Sequence, residues 1–166
     1  MVDQYKYLGV VLIQPKHGLI FKEMWPYISE KASKASFAVT KKYAYVGHLT
    51  PILALKLFDT FVLPIVNYAS ELWRRESEIK VIEAVQLKYL KCVLGVKNGT
   101  STVALLGETG RFPILFHQHI RLIKYWIRLV QMKSNTIAKK AFICNLTLSN
   151  AGYDTWLSKV FKVQLR

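Results

Sequence analysis

Residues 51–94 have the sequence PILALKLFDTFVLPIVNYASELWRRESEIKVIEAVQLKYLKCVL and decide the fold of this chain. Thr50 and Pro51 suit the N-cap and the first position of a helix. The helix that follows is apolar around nearly its whole circumference as far as Pro64, where a kink or a stop is expected because proline lacks the N–H of the helical ladder. Such a helix has no polar face, so we predict that it lies at the centre of a helical core.

The second half of the stretch predicts an amphipathic helix with Ser77 as its N-cap and Gly95 as its C-terminal stop. The positions that recur at helical spacing on its apolar face are Ile79, Ile82, Gln86, Tyr89, Leu90 and Val93. Lysines occupy the opposite face. Glu83 and Gln86 lie near the buried side, and no nucleophile or base accompanies them, so we predict that they hydrogen-bond across the core.

Further helices are predicted on both sides of this stretch, over residues 26–45, 101–106, 113–132, 135–146 and near the C-terminus. Residues 4–13 have the composition of a strand, residues 14–18 that of a turn, and residues 19–21 that of a short return strand. A lone hairpin is marginally stable in water, so this one needs another surface to lie on. The predicted fold is all-α, a bundle of about five to seven helices with a small N-terminal β-hairpin.

The chain is strongly basic, with 24 Lys and Arg against 10 Asp and Glu and a formal net charge of +14. Such an excess favours a polyanion, and nucleic acid is the first candidate because its binding releases condensed counterions. An anionic membrane surface satisfies the same electrostatics, and a solvated basic surface is the third interpretation. An apolar fraction of 52% argues against a disordered chain, because a disordered chain lacks apolar surface to bury.

Two cysteines, Cys92 and Cys144, are too few for a disulfide framework and lack metal-ligand spacing. They fit a reducing compartment, and the first residues lack the pattern of a signal peptide, so we expect a nuclear or cytoplasmic protein that is not secreted. His117 and His119 are two residues apart on a predicted helix and point to different sides, so we expect no metal site and no cofactor in this chain.

Several segments resemble, in order, the C-terminal part of reverse transcriptases from non-LTR (LINE-type) retrotransposons. They are YKYLGV at 5–10, KASKA at 31–35, LTPILALKLFDTFVLPIVNYASELW at 49–73, IEAVQLKYLKCVLGV at 82–96, GRFPI at 110–114 and RLIKYWIRL at 121–129. Each match is weak alone, and the ordered set is specific. Thr109 departs from the family, which more often has leucine there, and this puts in doubt any special role for the 107–113 loop.

The resemblance implies a thumb-like helical region that packs on a primer–template duplex behind the polymerase active site. It also implies a hairpin like the end of the palm (1–21) and a thumb-like domain (22–132). The resemblance does not extend to the rest of the chain, where a weaker helical pattern predicts a C-terminal helical tail (133–166). The intact enzyme would copy RNA into DNA with Mg²⁺, which needs paired aspartates. This chain has only Asp3, Asp59 and Asp154, so we expect it to have no polymerase activity of its own.

The expected partners are RNA, DNA or an RNA–DNA hybrid, together with the absent palm or fingers region, and not a membrane. Basic residues at helical spacing are the candidate contacts to nucleic acid, namely Lys31, Lys34, Lys41, Arg121, Lys124 and Arg128. The resemblance makes Tyr7, Leu8 and Gly9 a candidate primer grip, and a strand with a glycine kink is the simpler interpretation. A helical protein-interaction module and a peripheral membrane binder remain the alternative functions.

Overall fold

The computed structural model describes residues 4–13, 21, 23–46, 50–73, 79–153, 155–158 and 160. The strands are β1 (Gln4–Tyr7) and β2 (Val10–Ile13), and the helices are α1 (Met24–Val46), α2 (Pro51–Leu57), α3 (Leu63–Asn67), α4 (Ser70–Trp73), α5 (Ile79–Leu94), α6 (Thr102–Thr109), α7 (Ile114–Gln131) and α8 (Ile137–Asn150). A π-helical turn, Phe58–Val62, joins α2 to α3. The predicted all-α class with an N-terminal hairpin is confirmed, and the described part of the chain contains eight α-helices rather than five to seven.

The hairpin turns earlier than the sequence suggested. Residues 4–13 were predicted as one strand, and this is wrong: β1 and β2 pair antiparallel within that segment, with Tyr7 opposite Val10. The turn between them has positive φ at both Leu8 (46°) and Gly9 (83°). Two-residue hairpins favour such turns because their twist matches that of the strands. The predicted turn at 14–18 and most of the predicted return strand lie outside the described residues.

One face of the hairpin lies on the helices. Val11 is almost fully buried in the main core, and its N–H donates to the Met24 sulfur at 3.1 Å. The Tyr68 hydroxyl, at the end of α3, donates to the carbonyl of Leu8 in the turn. The hairpin therefore finds within this chain a surface that an isolated two-stranded sheet lacks.

The central apolar helix is interrupted before Pro64 rather than at it. Its predicted N-cap is confirmed, since the Thr50 side chain accepts a hydrogen bond from the Leu53 N–H at 3.3 Å. The α-helical ladder gives way at Phe58 to the π-helical turn, and α3 begins at Leu63. Pro64 then occupies the first turn of α3, where a missing N–H is tolerated.

Side-chain donors support the backbone where the ladder changes. The carbonyls of residues 54, 55 and 56 accept hydrogen bonds from the Tyr89 hydroxyl at 2.6 Å, Arg111 Nη2 at 2.9 Å and the Thr60 hydroxyl at 2.9 Å, respectively. Buried carbonyls need such partners because an unpaired buried polar group is costly. Two of these donors come from other helices or loops, so the irregular turn is held by the tertiary structure.

The main core joins α1, the α2–α3 segment and α5. Trp25 and Trp73 meet edge to face with ring centroids 4.6 Å apart, and Phe58 packs on Tyr89 at 4.9 Å. The predicted apolar face of α5 is confirmed as buried, including Gln86, whose side-chain amide donates to the Phe112 carbonyl at 3.1 Å. Gly95 ends α5 with a φ of 64°, as predicted, while the proposed cap Ser77 lies outside the described residues.

A second, smaller core involves the C-terminal part of the chain. Its buried members are Leu122, Leu129, Phe142, Leu157 and Val160. Trp156 anchors this segment to α4, because its indole N–H donates to the Glu71 carbonyl at 2.6 Å. Residues beyond α8 are therefore packed against α7 and α4. The predicted domain boundary between residues 132 and 133 stays a prediction.

Candidate functional site

The hairpin and α1 bring two lysines to one aromatic ring. The ammonium groups of Lys31 and Lys6 lie 4.6 Å and 4.8 Å from the centroid of the Tyr27 ring. Hydrogen bonding from Lys31, and then from Lys6, lowers the pKa of the Tyr27 phenol, and the positive charge of the two lysines adds to this effect. Lys31 was a candidate contact, but Lys6 was missed, because only the register that pairs it with the buried Val11 places it on the helix side of the hairpin.

The other two candidates on α1 differ in their surroundings. Lys34 forms an ion pair with Glu30 one turn earlier, at 2.5 Å, and hydrogen bonding from Lys34 lowers the pKa of Glu30. Both side chains are exposed, so the pair is weak and can open for a phosphate. Lys41 is exposed and has no ion pair within the described residues. Of these two candidates, Lys34 therefore shares its charge with an acid, and among the described residues Lys41 does not.

Helix α7 carries the second set of candidates at exposed positions. Arg121 Nε lies 3.5 Å from a carboxylate oxygen of Glu71 on α4, and its side chain is about half exposed. Lys124 and Arg128 are exposed and form no ion pair in the described part of the chain. The α7 stripe thus offers two uncommitted cations and one that is shared with an acid.

Helices α3 and α5 connect the two basic sets. Both α1 and α7 pack against these two helices, whereas α1 and α7 make no substantial contact with each other in the described residues. The six candidate cations therefore stand on one helical framework. That they face a common nucleic-acid track stays a prediction.

The candidate primer-grip residues form the exposed end of the hairpin. Tyr7 stacks on Tyr5 with ring centroids 6.5 Å apart, and the two side chains are 59% and 60% exposed. Leu8 is more exposed still, while its carbonyl accepts the Tyr68 hydroxyl. At Gly9 an added Cβ would meet the Tyr68 ring at 3.4 Å. The turn backbone is thus partly engaged within the chain, and the tyrosine face is open.

Residues 107–109 of the predicted 107–113 loop belong to α6, and the remaining residues, 110–113, have a structural role that the sequence did not indicate. The Arg111 guanidinium forms a two-pronged ion pair with Asp59 in the π-helical turn, with both N–O distances 2.7 Å. It also lies 5.5 Å from the centroid of the Phe58 ring and donates to the Leu55 carbonyl. A pocket of about 320 Å³ adjoins this pair, and His117 contributes to its lining. The sequence did not reveal the pair, because its two members are 52 positions apart.

Within the described residues, no group of three or more His, Cys, Asp or Glu side chains could hold a metal ion. None of the helices described is long and apolar enough to cross a membrane.

Comparison of the chain with protein-family models, with curated proteins and with solved structures finds no match in any of the three. The resemblance to non-LTR reverse transcriptases therefore rests on the sequence motifs, and it stays a prediction.

Proposed function

We propose that this chain is a non-catalytic nucleic-acid-binding module, corresponding to the thumb and following helices of a non-LTR reverse transcriptase. One observation carries the proposal: a net charge of +14 on a helical framework whose exposed cations on α1 and α7 are mostly left without acids. Such cations bind phosphates of any sequence and gain free energy by releasing counterions. RNA, DNA and RNA–DNA hybrids are the proposed partners, in the nucleus or the cytoplasm.

The contribution of α7 is tested by replacing Arg121, Lys124 and Arg128 with glutamine. If each contacts a phosphate, the slope of log affinity against log salt becomes shallower by a little under one per residue. Binding should weaken similarly for unrelated sequences, because phosphate contacts carry no sequence information. Fluorescence anisotropy with a labelled RNA–DNA hybrid measures both quantities.

A matched control removes the same charge elsewhere, by replacing the exposed Lys80, Lys97 and Lys140 with glutamine. The α7 variant should bind more weakly than this control, and its slope of log affinity against log salt should be shallower. Equal losses in the two variants would mean that only total charge matters, and unchanged binding in the α7 variant would remove α7 from the interface.

The isolated chain should not extend a primer. Polymerases of this type hold two metal ions with neighbouring carboxylates, and Asp3, Asp59 and Asp154 are far apart in sequence. Asp59 is moreover engaged by Arg111. Primer extension with Mg²⁺ or Mn²⁺ should give no product above that of a mock preparation, and incorporation above this background would contradict the proposal.

The outer face of the hairpin favours a second function, protein–protein interaction. Tyr5 and Tyr7 expose aromatic surface on one side of the two-stranded sheet, and Leu8 is exposed in the turn. Clustered exposed aromatics are typical of protein interfaces. The palm or fingers region implied by the resemblance is the proposed partner. Binding to a protein that survives high salt, without any affinity for nucleic acid, would favour this function over the first.

A further inference from the structure

We propose that the groove between α1 and α5 holds one unpaired nucleotide of a nucleic-acid strand, with its base on Phe37 and its phosphate at Lys88. This inference rests on the proposed function. It adds to that function a binding site to which none of the six candidate cations contributes. The groove has a volume of about 340 Å³. Small-molecule pockets measure about 300–1,000 Å³, so this groove has the size for one nucleotide and not for a duplex.

The walls of the groove combine an aromatic ring, hydroxyls and a cation. Helix α1 contributes Ser33, Ser36, Phe37 and Thr40, and α5 contributes Val85, Lys88, Tyr89 and Cys92. Phe37 is 68% exposed although it is fully apolar. An exposed aromatic side chain beside a lysine is the combination with which proteins hold single strands, since every base has a face that can stack.

The hydroxyls are placed to bind a phosphate. Ser33 and Ser36 make no side-chain hydrogen bond within the described residues, so both can donate to an oxygen of the ligand. Thr40 already donates to the Phe37 carbonyl at 3.0 Å, which leaves its oxygen as an acceptor only. Two free hydroxyl donors and an ammonium group suit a phosphodiester, which is rich in acceptors.

Charge complementarity favours the same occupant. The acid closest in sequence to the α1 wall is Glu30, which is paired with Lys34. On α5, Glu83 faces away from the groove, because its carboxylate accepts the Leu115 N–H of α7 at 2.8 Å. Lys88 is exposed and has no ion pair in the described part of the chain. The local field therefore attracts an anion.

The test compares two labelled RNA–DNA hybrids, one blunt and one with a short single-stranded extension. Phe37→Leu keeps an apolar side chain at an exposed position and removes the stacking surface. It should weaken binding of the extended hybrid about tenfold, toward the lower end of the range for losing one stacked base because leucine keeps some apolar contact, and leave the blunt hybrid unchanged. Lys88→Gln should make the salt slope for the extended hybrid shallower by somewhat under one.

Two variants serve as controls: Phe61→Leu, at another exposed phenylalanine, and Lys80→Gln, on α5 outside the groove. Both should bind the extended hybrid as the wild type does. If Phe37→Leu and Lys88→Gln bind it with wild-type affinity while the wild type binds both hybrids, the groove is not a nucleotide site and the proposed function stands. If the wild type binds neither hybrid, the proposed function fails and this inference fails with it.

Discussion

Replacing Trp73 with alanine is expected to lower the free energy of unfolding by about 3–5 kcal/mol, the usual cost of deleting a large buried aromatic side chain. Trp73 is 1% exposed and packs edge to face on Trp25. Its indole N–H donates to the carbonyl of Tyr68 at 2.7 Å, and the hydroxyl of the same tyrosine holds the hairpin turn. The substitution therefore leaves a cavity and an unpaired carbonyl where α1, α4 and the hairpin meet.

Urea unfolding followed by circular dichroism measures the effect of Trp73→Ala. Native domains are stable by only about 5–15 kcal/mol, so the variant should be partly unfolded at low urea concentrations. Tyr153→Ala is the control, since Tyr153 is 65% exposed and its removal should change stability little. A loss below about 1 kcal/mol for Trp73→Ala would mean that this residue is not buried as described.

Replacing Arg111 with methionine should cost about 2–3 kcal/mol, less than a fully buried ion pair would. The Arg111 side chain is 13% exposed and that of Asp59 46%, so water screens part of the interaction. The variant keeps apolar bulk over Phe58, but it leaves the Leu55 carbonyl and the Asp59 carboxylate without this donor. The stability that the variant loses should be lost mainly in the π-helical turn, because Arg111 bonds this turn to the loop before α7.

A double-mutant cycle with Asp59→Asn separates the ion pair from the bond to the Leu55 carbonyl. Asp59→Asn alone should cost less than Arg111→Met, because it keeps the bond to the carbonyl. The exposed pair of Lys34 and Glu30 supplies the control, and Lys34→Met should have no measurable effect on stability. An Arg111→Met protein as stable as the wild type would show that the pair contributes nothing to the fold.

Local signals were enough to predict the regular parts of the fold. Helical spacing of apolar residues predicts the buried face of α5. The preferences of residues at helix ends predict the cap at Thr50 and the stop at Gly95. The turn at Leu8 could not be predicted, because leucine has no preference for positive φ and the turn is held there by Tyr68. The π-helical turn likewise depends on donors from distant residues.

The candidate site also has a part that local sequence predicts and a part that depends on how distant elements pack. The stripe of Arg121, Lys124 and Arg128 follows from spacing on one helix, and the structure places these side chains at the surface. The meeting of Lys6 and Lys31 at one ring, and the groove between α1 and α5, depend on how separate elements dock. No pattern within a single segment encodes these contacts, because the register of the hairpin and the packing of the helices determine them.

The affinity of the wild-type chain for an RNA–DNA hybrid, measured as salt is raised, tests the proposed function most directly. If all six candidate cations contact phosphates, log affinity falls linearly with log salt with a slope of about −5, and unrelated sequences give the same line. The contribution of sequence should be small, because phosphate contacts position a duplex without reading it. Absence of binding at low salt, or an affinity that salt leaves unchanged, would contradict nucleic-acid binding through these basic helix faces.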